Sequence, residues 1–349
     1  MKILYLLQST RFSGAENVVC QIIRMMKKDS DKKLIYCSPD GQIREALEER
    51  GIEYEPLKKL TVKEVKGVIE KHHPDVIHAN DRSACVVAAM ATKKIPIIAH
   101  VHVNNNSGIT CFAKNLIFSC FAKKYTHVFW VSESAYEQFK FKRILKNKSS
   151  ILYNVIDIKE LYDKADRDDL TYDYDIVYVG RLSYQKNPQR LMKVLDNVSR
   201  QNPEAKIVIV GNGEYEQYVA DYIKDNKLAD KINYLGYLNN PLKLIRSSKA
   251  LVMTSRFEGT PMVALEAQCL GVPIVSTPVD GMKKVIENGY NGYLTDNDAE
   301  IVSRLEEIIT DEKIYRKLSE NSLKKAVEYN DMEKYYAAIE KAYRVYDIS

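Results

Sequence analysis

Long apolar runs are missing from this chain. The longest, residues 84–91, falls far short of the roughly 20 residues that a membrane-spanning helix needs. The opening MKILYLLQS offers one lysine and only five consecutive apolar residues, Ile3–Leu7, which suit a first buried strand better than a secretory leader. A cytoplasmic protein that does not cross the bilayer is therefore expected. Cysteine is sparse and unpatterned. Positions 20, 37, 85, 111, 120 and 269 contain no C-x-x-C pair and no metal-like spacing with histidine, so reduced, mostly buried thiols are the reading. Three further motifs are absent. VGNGE carries Gly211 and Gly213 but lacks the third glycine of G-x-G-x-x-G, and no G-x-x-x-x-G-K-[ST] occurs, which argues against nicotinamide and P-loop chemistry. No D-x-D closes a strand, because DYD at Asp173–Asp175 precedes its strand. No metal or other cofactor is expected.

What is present is alternation. Short β-rich runs and amphipathic segments follow one another throughout, the pattern of α/β architecture with parallel sheets. Six strands can be read in the first half: KILYLLQS, KLIYCS, IEYEPL, DVIHAN, PIIAHVH and HVFWVS. A polar, acidic interval, residues 159–175, reads as a linker, after which DIVYVG, KIVIVG, INYLG, ALVMTS and PIVST restart the alternation. For 349 residues two domains are the natural expectation. They are placed at 1–165 and 166–329, with a final helical segment, 330–349, expected to pack back on the first. Two such sheets in series point to an interdomain cleft.

Charge is unevenly divided. Residues 1–165 hold 27 Lys and Arg against 18 Asp and Glu, whereas residues 166–349 hold 25 against 29. The first half is suited to face something anionic. Its basic residues concentrate in Met90–Lys148, where ten Lys and Arg meet only Glu133 and Glu137. Within it CFAKNLIFSCFAKKY places Phe112, Leu116 and Cys120 at helical spacing among lysines. Such a helix suits an anionic membrane interface, and equally an ordinary core-facing position. Nucleic acid is disfavoured, because the basic residues are not interleaved with aromatics on one sheet.

In doubly wound folds ligands bind at the carboxyl ends of strands, so the loops after strands carry the chemistry. After the first strand, Gly14 opens a helix and lets backbone N–H groups approach an anion, although such a glycine can equally just make a turn. After DIVYVG comes RLSYQKNP. Asn187 as N-cap and Pro188 as first helical residue leave Arg181 and Lys186 at the strand end, where they fit a diphosphate or are simply solvated cations. As a surface cation Lys186 is expected to add little stability. In SRFEGTPMVALEAQCLGVPIV, Gly259, Thr260 and Pro261 make the turn between Glu258 in the loop and Glu266 in the helix. Carboxylates suit vicinal hydroxyls, while two glutamates on a solvated face are the plain alternative.

In this order and spacing, GRLSYQKNP, VGNGE and EGTPMVALEAQCLGVPIVST closely resemble the donor domain of family 4 retaining glycosyltransferases, whose E-x7-E motif matches Glu258 and Glu266. SGAEN, DVIHAND, IIAHVHVN and ILYNVID are similar to the family's first-domain motifs, and AHVHVNNN resembles, more loosely, the branch found in bacterial capsule and exopolysaccharide biosynthesis. The resemblance implies the GT-B fold, two Rossmann-like doubly wound domains. It also implies transfer of a sugar from a nucleotide diphosphate sugar, UDP being the expected nucleotide, to a hydroxyl of a glycan or polyprenyl-linked acceptor. It places Arg181 and Lys186 on the diphosphate, Glu258 on the sugar, Glu266 on the ribose, His102 beside the transferred sugar with His100 as second candidate, and the Gly14 backbone on the phosphates. Gly211, Gly213, Gly259, Thr260 and Pro261 would line the donor site. A cytoplasmic enzyme, peripheral at the inner face of the plasma membrane, is what this implies. A nucleotide-sugar epimerase or phosphorylase, and a non-catalytic transferase subunit, are the rivals.

Overall fold

The computed structural model describes residues 1–28, 31–102 and 109–344, without the side chains of residues 109–111 and 329. The chain divides into two compact units. Met1–Asn154 together with the last helix, Met332–Arg344, form one; Val155–Asp331 form the other.

The first unit holds a parallel sheet of seven strands: β1 (Lys2–Leu6), β2 (Lys33–Pro39), β3 (Tyr54–Leu57), β4 (Val76–Asn80), β5 (Ile97–Val101), β6 (Tyr125–Trp130) and β7 (Ser149–Ile151), in the order β3-β2-β1-β4-β5-β6-β7. The second unit has six, β8 (Ile176–Val179), β9 (Ile207–Val210), β10 (Ile232–Tyr234), β11 (Ala250–Met253), β12 (Ile274–Ser276) and β13 (Gly292–Leu294), in the order β10-β9-β8-β11-β12-β13. Every pairing in both sheets is parallel. Strands covered on both faces carry continuous β-branched and aliphatic runs such as IVIV in β9, which is buried throughout. Amphipathic helices supply the cover. Pro188–Gln201 buries Leu191, Met192, Val194, Leu195 and Val198 against the second sheet.

Three differences from the sequence reading have physical causes. The strands β7, SSI, and β13, GYL, offer serines and a glycine in place of a β-branched run, and pairing with β6 and β12 makes them strands. The interval taken as a linker contains a helix, Ile158–Asp166, so the division falls after Asn154 rather than after residue 165. Asp157 caps that helix by accepting from the Glu160 N–H at 3.1 Å, and Leu161 and Ala165 are buried, so the acidic residues form only its outer face. Finally, Asn187 stands before its helix in a left-handed conformation, φ 56°, and its side chain makes no capping bond.

The last helix belongs to the first unit, where Tyr343 reaches the side chain of His78 on β4. The chain crosses between units twice, near residues 154 and 331, and Asn330 ties these passages together. Its side chain accepts from the Ile156 N–H at 2.5 Å and donates to the Ile156 carbonyl at 2.6 Å. Among the described residues no helix is long and apolar enough to cross a membrane.

Candidate functional site

In each sheet the strand order reverses beside the first strand of the unit, between β1 and β4 and again between β8 and β11. Crossovers leave such a point in opposite directions, and the loops at the carboxyl ends of the two strands part to leave a crevice. In the second unit those loops are RLSYQKNP after β8 and SRFEGTP after β11, two of the motifs singled out from the sequence.

The two loops are bound together. The Arg256 N–H donates to the Gln185 carbonyl at 2.8 Å, and the Arg256 guanidinium donates to the Tyr184 carbonyl at 2.9 Å while stacking 4.3 Å from the Tyr184 ring. The Thr254 hydroxyl donates to the Lys186 and Asn187 carbonyls at 3.2 and 3.3 Å. At the centre the Lys186 ammonium donates to Glu258 Oε1 at 2.6 Å. The Ser255 hydroxyl reaches the same oxygen at 2.6 Å, and Gln185 Nε2 reaches Oε2 at 3.2 Å. With side-chain exposures of 16% for Lys186 and 5% for Glu258, this is a desolvated pair and not a surface contact. The expectation that Lys186 is a surface cation of little structural weight is thereby corrected, because its loss would strand a nearly buried carboxylate.

Arg181 lies at the end of the same strand, exposed, and its guanidinium makes no ion pair among the described residues. Gly259, Thr260 and Pro261 are buried, and Glu266 is half-buried as the fifth residue of the helix Met262–Cys269. It lies close enough to Cys269 to add to the burial that pushes that thiol up to about 12.

Gly211 and Gly213 brace the site from behind. At φ 135°, a Cβ on Gly211 would fall 1.9 Å from the Gly180 carbonyl oxygen, and one on Gly213 would fall 2.4 Å from that of Leu182. The β9 loop thus presses directly on the β8 loop and fixes the backbone that carries Arg181 to Lys186. Gly281 has the same role on the other side, since a Cβ there would sit 1.4 Å from the Gly259 oxygen. Sequence reasoning missed Gly281, Gln185 and Ser255. TPVDG after β12 repeats the strand–loop–glycine–helix pattern and could have signalled the first, but nothing in the sequence marks the other two.

In the first unit Gly14 is the exposed first residue of the helix Gly14–Met26. His100 ends up in β5 and His102 just beyond it, while Val103–Asn106 of the AHVHVNNN motif lie outside the described residues. Both histidines are buried, and sheet register explains their company. Tyr5 pairs with His78 and Asn80 with His100, so Tyr5, His78, Asn80 and His100 share one face of the sheet. His78 Nε2 lies 3.2 Å from His100 Nδ1, and the His100 ring stacks on His102 with centroids 4.2 Å apart. His102 Nε2 lies 2.9 Å from Asn80 Oδ1, and its backbone N–H donates to Asp81 at 3.1 Å. Burial depresses all three imidazoles, His78 to about 3, so they are neutral. His72, His73 and His127 stand apart from this cluster: His72 contacts Glu55 and His127 contacts Ser150.

Two outcomes follow from this geometry. Lys186→Ala should lower stability by about 1–3 kcal/mol in urea unfolding, and adding Glu258→Gln should recover part of the loss, since an amide needs no counter-charge. Strictly additive losses would dissolve the pair. The second concerns pH. Histidines with folded pKa values below the usual 6.5 add stability that is full above that value and is lost as pH falls toward the folded pKa, because the unfolded chain takes up the protons. Between pH 6.5 and 4, the unfolding transition seen by Trp130, the single tryptophan, buried in the first unit, should shift to lower urea. In His78→Gln the slope should be shallower by about 1.4 kcal/mol per pH unit. An equal slope in both proteins would remove His78 from the acid response.

Comparison with known proteins agrees with both halves of this geometry. Residues 12–160 match the model of "Glycosyltransferase Family 4", and residues 159–325 that of "Glycosyl transferases group 1". The poly(glycerol-phosphate) alpha-glucosyltransferase of Bacillus subtilis is 29% identical over 58% of this chain, which spans only 30% of that longer protein. The Escherichia coli UDP-Gal:alpha-D-GlcNAc-diphosphoundecaprenol alpha-1,3-galactosyltransferase is 23% identical over 90% of this chain and 89% of its own. The solved structure of Anabaena Alr3699/HepE in complex with UDP-glucose has a TM-score of 0.84 over 98% of both chains at 22% identity, a likeness of fold. Two Rossmann-like units, each with its own family match and together spanning residues 12–325, make this chain a member of the GT-B glycosyltransferases of the family 4 type.

Proposed function

We propose that the protein moves a sugar from a nucleotide diphosphate sugar, with UDP as the nucleotide, to a hydroxyl of a glycan or lipid-linked glycan in bacterial polysaccharide synthesis, with retention at the anomeric carbon. The observation that carries this reading is the joined pair of switch-point loops in the second unit, which sets Lys186 against Glu258 at 2.6 Å beside Arg181. The relatives lend support: one is named for a UDP-galactose donor and a diphosphoundecaprenol acceptor, and a neighbouring fold was solved with UDP-glucose.

In this reaction the bond from the anomeric carbon to the β-phosphate oxygen breaks, and its electron pair leaves with the phosphate. Negative charge therefore grows where Arg181 and Lys186 stand. Cations held in place before the reaction stabilise that charge without reorganising, at roughly 3 kcal/mol per well-placed donor. Glu258, itself held by Ser255 and Gln185, holds Lys186 for this purpose. Its ammonium has three N–H donors, so binding Glu258 does not exhaust it. The acceptor oxygen bonds to the anomeric carbon on the face the phosphate leaves, and its proton passes to the departing phosphate. Glu258 also meets the sugar hydroxyls, Glu266 the ribose, His102 the transferred sugar, and the Gly14 backbone the phosphates. No metal is assigned to the reaction, since positive charge on the protein takes that place.

A membrane-bound acceptor is favoured by one surface of the first unit. On the helix Ile109–Cys120, Phe112, Leu116 and Ile117 are 44%, 43% and 48% exposed, with Met90 and Ile144 exposed as well. Lys140 lies 5.2 Å over the Phe112 ring. An apolar face held out of the core and ringed by cations matches an anionic lipid interface better than bulk water.

Calorimetry with UDP and an assay across UDP-sugars test the reaction. UDP should bind, Glu266→Ala should weaken it about 10- to 100-fold, and Glu258→Ala should chiefly depress transfer while UDP binding persists. The product should keep the donor's anomeric configuration, and EDTA should leave the rate unchanged. Indifference of UDP to Glu266, or an inverted product, would refute the assignment. For the surface, sedimentation should show binding to anionic vesicles, none to neutral ones, and release as salt shortens the Debye length below about 10 Å. Equal binding to both kinds of vesicle would leave a soluble acceptor as the better reading.

A further inference from the structure

The buried polar cluster of the first unit holds more than two histidines. A single chain of hydrogen bonds runs through it from the last helix to the end of β5. The Tyr343 hydroxyl donates to the Tyr5 hydroxyl at 3.2 Å and lies 2.6 Å from His78 Nδ1. With its own proton committed to Tyr5, Tyr343 must accept from His78, so His78 carries its hydrogen on Nδ1. His78 Nε2 is then the acceptor for His100 at 3.2 Å, which places the His100 hydrogen on Nδ1 and leaves Nε2 a bare lone pair. That Nε2 is buried and has no hydrogen-bond partner among the described residues.

His102 reaches the complementary state by a separate route. Asn80 Nδ2 donates to the His78 carbonyl at 3.1 Å, which turns Asn80 Oδ1 toward His102 Nε2 at 2.9 Å. The hydrogen of His102 therefore sits on Nε2, and its Nδ1 is the second bare nitrogen, likewise buried and without a partner among the described residues. Two stacked neutral rings at one strand end thus each retain an unused acceptor. Leaving one such group buried and unmade costs about as much as a hydrogen bond is worth, so a fold that orients two of them is arranged to accept donors from outside the cluster.

We propose that Tyr343, on the last helix, is a positioning residue: acting through His78, it sets the tautomer of His100, so that the end of β5 offers hydrogen-bond acceptors and no imidazole N–H to a substrate hydroxyl. The hydroxyl belongs to the sugar or its acceptor, and in this respect the inference rests on the transferase reading. Tyr5 belongs to the same device, because it takes the proton that Tyr343 would otherwise give to His78.

The test is nitrogen-15 spectroscopy of histidine-labelled, full-length protein without substrate, which reads each ring's tautomer independently of any assay. In the wild type His78 and His100 should carry their hydrogens on Nδ1 and His102 on Nε2. Tyr343→Phe removes the acceptor for His78 and should move the hydrogens of both His78 and His100 to Nε2, leaving His102 unchanged. Tyr5→Phe should give the same change by freeing the Tyr343 proton, and serves if the first variant folds poorly. Tyr335→Phe, on the same helix, removes a buried hydroxyl that has no partner among the described residues and should change no tautomer. With UDP-sugar and acceptor, kcat/KM should fall about tenfold in Tyr343→Phe and less than twofold in Tyr335→Phe. A wild-type His100 protonated on Nε2, a His100 indifferent to Tyr343, or a flipped tautomer with unchanged turnover would each overturn the proposal. Failure of every UDP-sugar to react would refute the transferase reading instead, while leaving the tautomers to be judged on their spectra.

Discussion

The reversal of strand order beside the first strand of each sheet is the constraint from which the rest follows. Every strand in the two sheets is parallel, so all the loops that follow strands gather at one edge, and only where the order turns do neighbouring loops diverge. In the second unit β8 and β11 are paired neighbours at that point, so the loop after β8 starts beside the loop after β11, though their motifs lie more than 70 residues apart in the chain. Lys186 and Glu258 meet for that reason. Polar groups from both loops then surround the pair, which allows two charges to stay out of water without a ruinous desolvation cost.

The glycines serve the same constraint from behind. Loops that converge at a sheet edge compete for space, and at Gly211, Gly213 and Gly281 the backbones approach closer than any Cβ would allow. These residues hold the loops that carry Lys186 and Glu258. A glycine-rich motif of this kind is therefore a packing motif, which explains why its glycines appear where no phosphate fingerprint is complete.

The first unit solves a different problem with the same architecture. Its central strands place Tyr5, His78, Asn80 and His100 on one buried face, where an apolar residue would have been simpler. Burial keeps the imidazoles neutral, and neutrality lets them pass a hydrogen-bond direction from one to the next, because each ring has one donor and one acceptor nitrogen. The helix that closes this face is the last in the chain and returns to the first unit after the whole of the second has been made.

Much of this was legible beforehand. Strands buried on both faces announce themselves as runs such as IVIV, and the loops after them could be singled out because parallel sheets put function there. Arg181, Lys186, Glu258 and Glu266 were singled out in that way, and His100 and His102 through the family resemblance. The helix Ile158–Asp166 was not, because its outward acidic face dominates its composition and only packing shows that Leu161 and Ala165 are inside. The strands β7 and β13 were beyond reach because their serines and glycine carry no β-branched run. The sequence by itself determined the kind of fold, the serial order of two α/β units and the residue types at each strand end, since these depend on local periodicity and turn chemistry. Only tertiary structure decided that Lys186 is a half-buried partner of Glu258, that Gln185 and Ser255 support that carboxylate, and that Tyr343 meets His78 across 265 positions. Those facts depend on which distant segments are brought into register, and register is a property of the whole sheet that no local window contains.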